Sequence, residues 1–408
     1  MNAARDLIEK KLSHFEFTLM LSMTMAVGAI AIDMMLPAMG DIREKFGLAE
    51  GSNEVAAIVT FFFLGLAAGQ LVWGTISDAL GRKKVLYMGL AVYISAAIAG
   101  AMAPTLGVLL LVRFVWGFGA AGARTVVQAI VRDTYVGTAM ARAMSFILAV
   151  FVLVPIFAPT LGSAVLLIGP WEWIFLTMAL FGAGLAAWTI RMPETHPVAD
   201  RIPFRIGRIL KASRFVISNP MTVGYTMAQA LIFGFFISYL ASSQLIIEDI
   251  FGLEAWFPLI FGGTAVVMGV AMLANTRLLK RVPLRPLISS VFTFHVVASL
   301  VLGATMLVTD GHPPFALFMV TLLAVLMGHS LLVPNLNAIA MIPMGPVAGT
   351  AAAVIGTTVT LIGAVIGATI DRLYDGSLVY FGLGAAVTGV VGYGFMRWGD
   401  RAEARTEV

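Results

Sequence analysis

Gly74-Thr-Ile-Ser-Asp78-Ala-Leu-Gly81-Arg82-Lys83-Lys84-Val-Leu86 is a charged run enclosed by two long apolar blocks, and this setting decides the fold. Hydrophobic residues make up 60% of the 408-residue chain, and charged residues only 12%. The apolar blocks are about 20 residues long, the length a helix needs to cross a bilayer, and they lack the alternation of barrel strands. The sequence therefore predicts an all-α polytopic membrane protein, with the quoted run in a loop between two spans.

Twelve apolar blocks follow one another along the chain, so twelve transmembrane helices are expected. The predicted spans are 16–38, 52–73, 85–103, 107–131, 142–166, 171–190, 219–245, 255–276, 287–308, 314–337, 348–370 and 377–396.

The distribution of Lys and Arg predicts the orientation. With twelve spans both termini lie on one side, and that side carries 21 of the 26 Lys and Arg residues. The opposite side holds Arg43, Lys45 and Arg372, while Arg113 and Arg124 lie inside a span. By the positive-inside rule both termini are expected in the cytoplasm, and the opening Met1 to Phe15 is interpreted as a retained cytoplasmic tail.

A basic connector divides the chain into two halves of six spans each. The predicted units are 1–190, a cytoplasmic connector 191–218, and 219–408. Basic residues at 201, 205, 208, 211 and 214 and a second stripe of Ile and Leu fall on opposite faces at helical period. The connector is expected to hold an amphipathic helix on the inner leaflet, with a solvated linker as the alternative.

Other features exclude several classes of protein. Cysteine is absent, which excludes disulfides and thiolate chemistry. No Gly-x-x-x-x-Gly-Lys-Ser/Thr run occurs, and the five histidines are scattered without metal-ligand spacing, so no ATP site, metal or cofactor is expected. Membrane topology, rather than nucleic-acid binding, explains the net charge of +4.

The 74–86 run resembles a signature of the major facilitator superfamily. That signature, Gly-x-Leu-x-Asp-Arg-x-Gly-Arg-Lys/Arg, lies between the second and third spans; Ile76 stands here for its Leu and Ala79 for its first Arg. The resemblance implies twelve helices in two six-helix bundles, and it implies a secondary transporter rather than an enzyme.

Further stretches resemble the drug/H+ antiporters of that superfamily, and more narrowly the bicyclomycin-resistance (Bcr/CflA) type. The matching stretches are Asp33-Met-Met-Leu-Pro37-Ala-Met, Arg113-Phe-Val-Trp-Gly-Phe-Gly119-Ala-Ala, Val131-Arg132-Asp133 and Pro343-Met-Gly-Pro-Val-Ala-Gly349-Thr-Ala. The antiporter motif of span five, Gly-Pro-x-x-Gly-Gly, is matched by Ala158-Pro159-Thr-Leu-Gly162-Ser163. Small residues and a proline there are expected to bend the span and allow close helix packing, with a kinked lipid-facing helix as the alternative.

Asp33 is the first candidate for proton coupling, because it is the only acid well inside a predicted span. An ionised group at membrane depth costs about 2.5–3.5 kcal/mol on insertion scales, so it persists only where it faces water, a partner or protein interior. Such a carboxyl can take up a proton and release it when substrate binds. The alternative is that Asp33 only positions Arg113.

Span four carries Arg113, Arg124 and Gln128. The two arginines are 11 residues apart, about three helical turns, so one face of this helix is expected to be polar. The resemblance assigns Arg113 to the motif that influences proton transfer. Arg124 and Gln128 are candidates for substrate binding, and Arg124 could instead snorkel to the cytoplasm.

No acid lies mid-span in the C-terminal half, so polar and aromatic side chains are the candidates there. Phe236 and Tyr239, beside Ser238 in span seven, are the favoured substrate contacts. The other polar candidates are Gln229, Ser242, Gln244, His295, His329, Asn335 and Asn337.

The conformational switch is expected at the 74–86 run and in span five. Asp78, near a helix end, could pair with the other half of the chain in one conformation only. The switch residues are Gly74, Asp78, Gly81, Arg82, Pro159 and Gly162.

Together with these features, the resemblance implies a monomeric, proton-coupled multidrug efflux antiporter, multi-pass in a bacterial inner membrane. Its partners would be a small-molecule drug or metabolite, protons and the lipid bilayer, with no nucleic acid. The alternative is a proton-coupled symporter or an exporter of one small metabolite.

Overall fold

The structure is a computed structural model that describes residues 12–49, 51–203 and 206–404. The predicted tail residues Arg5, Lys10 and Lys11 and the connector residue Arg205 lie outside these ranges. Within them, twelve helical segments are long and apolar enough to cross a membrane, as the sequence predicted. The long helices, called spans one to twelve, are His14–Asp33, Ala57–Leu80, Arg82–Ala101, Leu106–Thr134, Gly137–Leu166, Glu172–Trp188, Pro220–Leu245, Phe257–Leu278, Leu284–Val308, Phe315–Met341, Ala348–Arg372 and Val379–Ala404.

Shorter helical pieces join or extend the spans. The first span continues after an interruption as Met39–Lys45, and Ile206–Ser218 lies in the connector. Turns of 3-10 helix occur at Leu36–Ala38, Glu54–Ala56, Thr189–Arg191, Val198–Asp200, Glu254–Trp256 and Ile342–Val347, and a π turn at Ile246–Ile250.

The charged run between spans two and three is shorter as a loop than the sequence predicted. Span two continues to Leu80 and span three begins at Arg82, so Gly81 alone separates them. Gly81 has a φ of 99°, a conformation that side chains with a Cβ rarely adopt. Polar residues beyond an apolar block can stay helical, which is why hydropathy ended span two too early, at 73, and began span three too late, at 85.

The chain forms two compact units. The first contains the described residues up to Phe46 and those from Phe61 to Ile206. The second contains Gly47–Thr60 and the described residues from Gly207 onward. The grouping of 47–60 with the second unit was not expected from the sequence, and the predicted boundaries at 190 and 219 stay a prediction.

In the first unit, span one packs on spans four and five, and span three packs on spans four and six. Glycines bring spans two and four close together: a Cβ on Gly65 would lie 1.8 Å from the carbonyl oxygen of Phe114, and one on Gly117 would lie 1.9 Å from that of Phe62. Small residues at such crossings let helix backbones approach where no hydrophobic effect drives association.

In the second unit, span seven packs against spans ten, eleven and twelve and is almost entirely buried. Span nine packs on spans ten and twelve, and span eight on span ten. A glycine again sets one crossing, because a Cβ on Gly224 of span seven would lie 2.7 Å from the carbonyl oxygen of Phe395 in span twelve.

The connector helix Ile206–Ser218 exposes both basic and apolar side chains. Lys211 and Arg214 are exposed, and so are Leu210, Phe215 and Ile217. A helix is therefore present where the amphipathic pattern lies, while its place on the inner leaflet stays a prediction.

Candidate functional site

Span one is broken beside its acid. The helix His14–Asp33 ends at Asp33, and the chain resumes as a 3-10 turn at Leu36–Ala38 with Pro37 in its first turn. Proline has no N–H, so Pro37 cannot donate the i to i−4 hydrogen bond that the carbonyl of Asp33 would receive in a continuous helix. The sequence thus places a carboxylic acid at a helix break within the first membrane-crossing segment.

Asp33 is buried, with 3% of its surface exposed. Among the described residues its carboxyl forms no hydrogen bond and no salt bridge. A buried carboxylate without a partner is costly, which favours a place where the group exchanges a proton or meets a ligand.

Arg113 lies close to the same stretch of span one but is held by backbone and aromatic rings. Its side chain is fully buried, and its Nη1 donates a hydrogen bond of 3.1 Å to the carbonyl oxygen of Ala31. The guanidinium lies over the ring of Phe62 at 4.6 Å and over that of Trp116 at 4.9 Å. These are cation–π contacts, strongest where water is excluded. Arg113 is therefore held at the backbone of Ala31, two residues before Asp33. Among the described residues it forms no ion pair with the Asp33 carboxyl.

Polar side chains in the C-terminal part of span four are more exposed than Arg113. Arg124 is half-buried and Gln128 is exposed, whereas Arg113 is buried. Neither Arg124 nor Gln128 has a hydrogen bond or ion pair within the described part of the chain. Both side chains are thus available to a ligand, although the polar face does not continue unchanged up to Arg113.

Span five packs on the break in span one. Pro155 and Pro159 both lie inside the helix Gly137–Leu166, and Pro159 is buried. A Cβ on Gly162 would lie 2.1 Å from the carbonyl oxygen of Met34, the residue after Asp33. Glycine at this position is what allows the two backbones to meet.

The charged run forms an ion cluster inside the first unit. Arg82 is buried; its Nη1 donates to Asp78 at 2.7 Å and to Ser77 at 2.9 Å, and its Nε donates to Asp133 at 2.7 Å. In the described part of the chain the Asp78 carboxyl pairs with Arg82, which lies in this unit, so the predicted latch to the other half of the chain stays a prediction. Gly74 lies nearby on span two, and a Cβ there would meet the Thr125 side chain of span four at 3.5 Å.

The start of span three is capped by a distant carboxylate. Glu194 accepts hydrogen bonds from the backbone N–H of Arg82 at 2.9 Å and of Lys83 at 3.2 Å. A carboxylate at this end of a helix satisfies otherwise unpaired N–H groups and opposes the helix dipole. A Cβ on Gly81 would lie 2.6 Å from Oε2 of Glu194, so glycine also leaves room for the cap.

Phe236 and Tyr239 belong to an aromatic cluster in the second unit. The ring of Phe236 stacks on the imidazole of His329 at 4.5 Å, and the Tyr239 ring stacks on Phe261 at 5.9 Å. The Tyr239 hydroxyl lies 2.7 Å from the hydroxyl of Thr264. Spans seven, eight and ten therefore contribute to one aromatic cluster, in which Phe236 is half-buried and the other three aromatic residues are buried.

Comparison with known proteins identifies the family. The model of the Major Facilitator Superfamily matches residues 20–368. The chain belongs to the major facilitator superfamily. Its members carry small-molecule substrates across membranes, so this chain is a multi-pass membrane transporter and not an enzyme. The predicted fold class is confirmed.

Sequence relatives of this superfamily member include drug-resistance proteins. The chain is 27% identical over 390 residues to a bicyclomycin resistance protein homolog of Haemophilus influenzae, covering 94% of this chain and 96% of that protein. It is 32% identical over 169 residues to the multidrug resistance protein MdtL of Escherichia coli, covering 41% and 43%. The resemblance to the bicyclomycin-resistance type is therefore confirmed, at modest identity.

Solved superfamily structures share the fold. A D-xylose-proton symporter superposes with a TM-score of 0.75 at 11% identity, covering 93% of this chain and 97% of that one. A peptide transporter superposes with a TM-score of 0.75 at 14% identity, covering 96% of each. At such identities the likeness concerns the fold alone.

Three functional candidates in this transporter were missed from the sequence. Asp133 lies in the stretch Val131-Arg132-Asp133, and Glu194 lies in the connector 191–218, but neither pattern predicts its contacts. Asp371 lies just beyond the predicted span 348–370, and it is buried against span seven. Their roles depend on contacts across 51, 112 and 133 residues of sequence, which no local pattern reveals. Within the described residues no cluster of three metal-ligating acid, His or Cys side chains occurs.

Proposed function

We propose that this transporter is a proton-coupled antiporter of the bacterial inner membrane that exports small amphipathic drugs by alternating access. The observation that carries the proposal is the buried Asp33 carboxyl, which has no partner among the described residues and lies at a helix break. Interrupted spans near an ionisable group are typical of ion and substrate sites in secondary transporters.

Asp33 is the proposed site of exchange. The carboxyl binds a proton from the more acidic side and loses it when a cationic or polar substrate occupies the same region. Arg113, held by the carbonyl of Ala31, supplies a fixed positive charge that favours loss of the proton. Because its position is set by backbone and aromatic rings, this charge stays in place whichever protonation state Asp33 adopts.

The proposed substrate contacts are polar groups of span four and aromatic rings of span seven. Arg124 and Gln128 contribute the polar groups, and the half-buried Phe236 and the buried Tyr239 contribute the rings. A mixture of aromatic surface and a few polar groups suits amphipathic compounds of varied shape. The resistance proteins among the sequence relatives support the choice of drugs as substrate class.

The orientation follows from charge. The excess of Lys and Arg on the side of the termini favours a cytoplasmic location for both, and we propose that the chain acts as a monomer. Under this topology, export of a drug into the periplasm is driven by protons entering the cell.

The test is transport by the full chain in proteoliposomes with an imposed pH gradient and a panel of amphipathic antibiotics. Proton-driven efflux of several unrelated compounds is expected. Asp33→Asn should abolish coupled efflux while the protein still inserts. Glu44→Gln, which neutralises an exposed acid later in the same segment, should transport normally.

Two outcomes would contradict the proposal. Normal pH-driven efflux by Asp33→Asn would remove the coupling role of Asp33. Inward transport of one solute together with protons, or export of one metabolite alone, would assign the chain to the alternative functions instead.

A further inference from the structure

A second buried acid lies in the second unit, far along the chain from Asp33. Asp371 is the penultimate residue of the span eleven helix, and 8% of its surface is exposed. Ser238 and Ser242 of span seven donate hydrogen bonds of 2.6 and 2.9 Å, both to its Oδ1. The other oxygen, Oδ2, is buried and has no hydrogen-bond partner in the described part of the chain.

The residues around Asp371 also form hydrogen bonds with the segment 47–60. The side-chain amide of Asn53 donates to the Ser242 hydroxyl at 2.9 Å and to the carbonyl oxygen of Asp371 at 3.3 Å. The segment thus belongs to the second unit, although span two enters the first unit from Phe61 onward. Asn53 is the hydrogen-bonded link between the segment and the acid.

Among the described residues no cation pairs with the Asp371 carboxyl, and Arg372, the next residue of span eleven, is exposed. The elements packed against span eleven are spans seven, ten and twelve and the turns at 54–56 and 342–347. Within the part of the chain that the structure describes, no titratable group of these elements pairs with the Asp371 carboxyl. The Tyr239 hydroxyl contacts Thr264, and the His329 ring stacks on Phe236. Glu54 and Tyr380 are exposed. The remaining such groups lie elsewhere on these helices: Tyr225, Tyr393, Arg397, Asp400, Arg401 and Glu403.

This arrangement favours the protonated form of Asp371 while the segment 47–60 is packed against spans seven and eleven. An ionised carboxyl here would keep two hydroxyl donors, but it would leave a buried oxygen unsatisfied and its charge uncompensated. Protonation at Oδ2 removes the charge. After ionisation, the lowest-cost relief is entry of water, which requires Asn53 and its segment to move away.

We propose that Asp371 is a second proton-binding site, and that loss of its proton releases the segment 47–60 from span seven and span eleven. For its part in transport this inference rests on the proposed proton coupling. The existence of the site does not depend on Asp33.

The natural absence of cysteine allows a direct test. Val55, fully buried in the 54–56 turn, is replaced by Cys as the reporter of release, and the exposed Glu54 is replaced by Cys in a second chain as the matched control. Both full-length proteins are purified in detergent micelles and labelled with a maleimide dye. Dividing the labelling rate of Val55→Cys by that of Glu54→Cys cancels the intrinsic pH dependence of the thiol reaction.

The ratio for Val55→Cys over Glu54→Cys is expected to rise at least about tenfold between about pH 5.5 and about pH 8.5, since one ionising group changes an equilibrium by up to tenfold per pH unit. In Asp371→Asn chains the ratio should stay low at every pH. A ratio that does not change with pH, or one that changes equally in Asp371→Asn, would overturn the proposal.

Further variants keep the test decisive. If Asp371→Asn fails to insert, Ser238→Ala should move the midpoint of the labelling curve to higher pH, because the ionised acid loses a donor that makes no contact with Asn53; an unmoved midpoint contradicts the proposal. Labelling is run in choline buffer. A labelling ratio that depends on added sodium instead of pH would assign the Asp371 carboxyl to a metal cation and overturn the proton assignment.

Asp33→Asn should keep the pH-dependent labelling ratio while losing efflux, which separates failure of the Asp371 site from failure of the proposed function.

Discussion

The backbone of Gly162 in span five faces the carbonyl oxygen of Met34 in span one, so closely that a Cβ at 162 would lie 2.1 Å from that oxygen. Met34 follows Asp33 at the end of the broken helix. The position of the proton-coupling candidate is therefore set by a glycine more than 120 residues further along the chain.

Gly162→Ala should disturb this crossing. A methyl group pressed against backbone cannot be accommodated by a side-chain rotation, so a loss of about 1–3 kcal/mol is expected, as for overpacked cores. Displacement of the break should also reduce proton-driven efflux. The thermal midpoint of the purified protein and its efflux rate are the measurements.

Gly184→Ala is the matched control for that substitution. Gly184 lies in the span six helix, and a Cβ there meets no atom within 4 Å. Alanine should be neutral or slightly stabilising there because of its higher helix propensity. Equal effects of the two substitutions would show that crowding at Met34 is unimportant.

The ion cluster of Arg82, Asp78 and Asp133 should contribute to the stability of the protein. Removing the buried guanidinium leaves two half-buried carboxylates, Asp78 and Asp133, without their cation, and hydrogen bonds to charged groups contribute about 1.5–3 kcal/mol. Arg82→Gln is expected to lower the stability of the protein and its turnover, whereas Lys84→Gln, an exposed neighbour, should have little effect.

A double-mutant cycle of Arg82→Gln with Asp133→Asn tests the pairing itself. The 2.7 Å contact predicts a coupling energy of about 0.5–3 kcal/mol, measured from the stabilities of the four proteins. Additive effects would mean that the two residues act independently.

How much of this the sequence predicts depends on the range of each interaction. Twelve spans follow from hydropathy, because every crossing needs its own apolar block. The break in span one had a local signal in Pro37, and Asp33 was identified because an acid is rare among apolar neighbours. By contrast, the burial of Asp371 depends on serines 129 and 133 residues away. The cap by Glu194 likewise needs the fold to bring the connector to span three.

Phe236→Ala should weaken substrate binding. The substitution removes a ring that stacks on His329 and forms part of the aromatic surface of span seven. Losing such a ring costs about 0.5–1.5 kcal/mol beyond lost area, so a rise of roughly tenfold in the half-saturating drug concentration is expected in the efflux assay. Phe294→Ala, at an exposed position of span nine, is the control and should leave this concentration unchanged. Equal values for both variants would remove Phe236 from the substrate site.

The last prediction concerns a buried amide pair that joins spans eight and ten. Asn335 donates to Oδ1 of Asn275 at 2.8 Å, and Asn275 donates back to Asn335 at 3.3 Å. Asn335, which follows the helix-internal Pro334, also donates to the carbonyl oxygen of Leu331. Both side chains are buried, so each amide is satisfied mainly by the other.

Asn275→Leu alone should cost about 1–3 kcal/mol, because Asn335 loses its acceptor and keeps a buried polar group. Adding Asn335→Leu should cost little more, since two apolar side chains of similar size can pack together. The expected coupling is about 0.6–1.7 kcal/mol, the range for hydrogen bonds between membrane helices. Thermal unfolding of the four proteins measures it, and if the double variant is as unstable as the sum of the single ones, the amide pair does not stabilise the contact between the two spans.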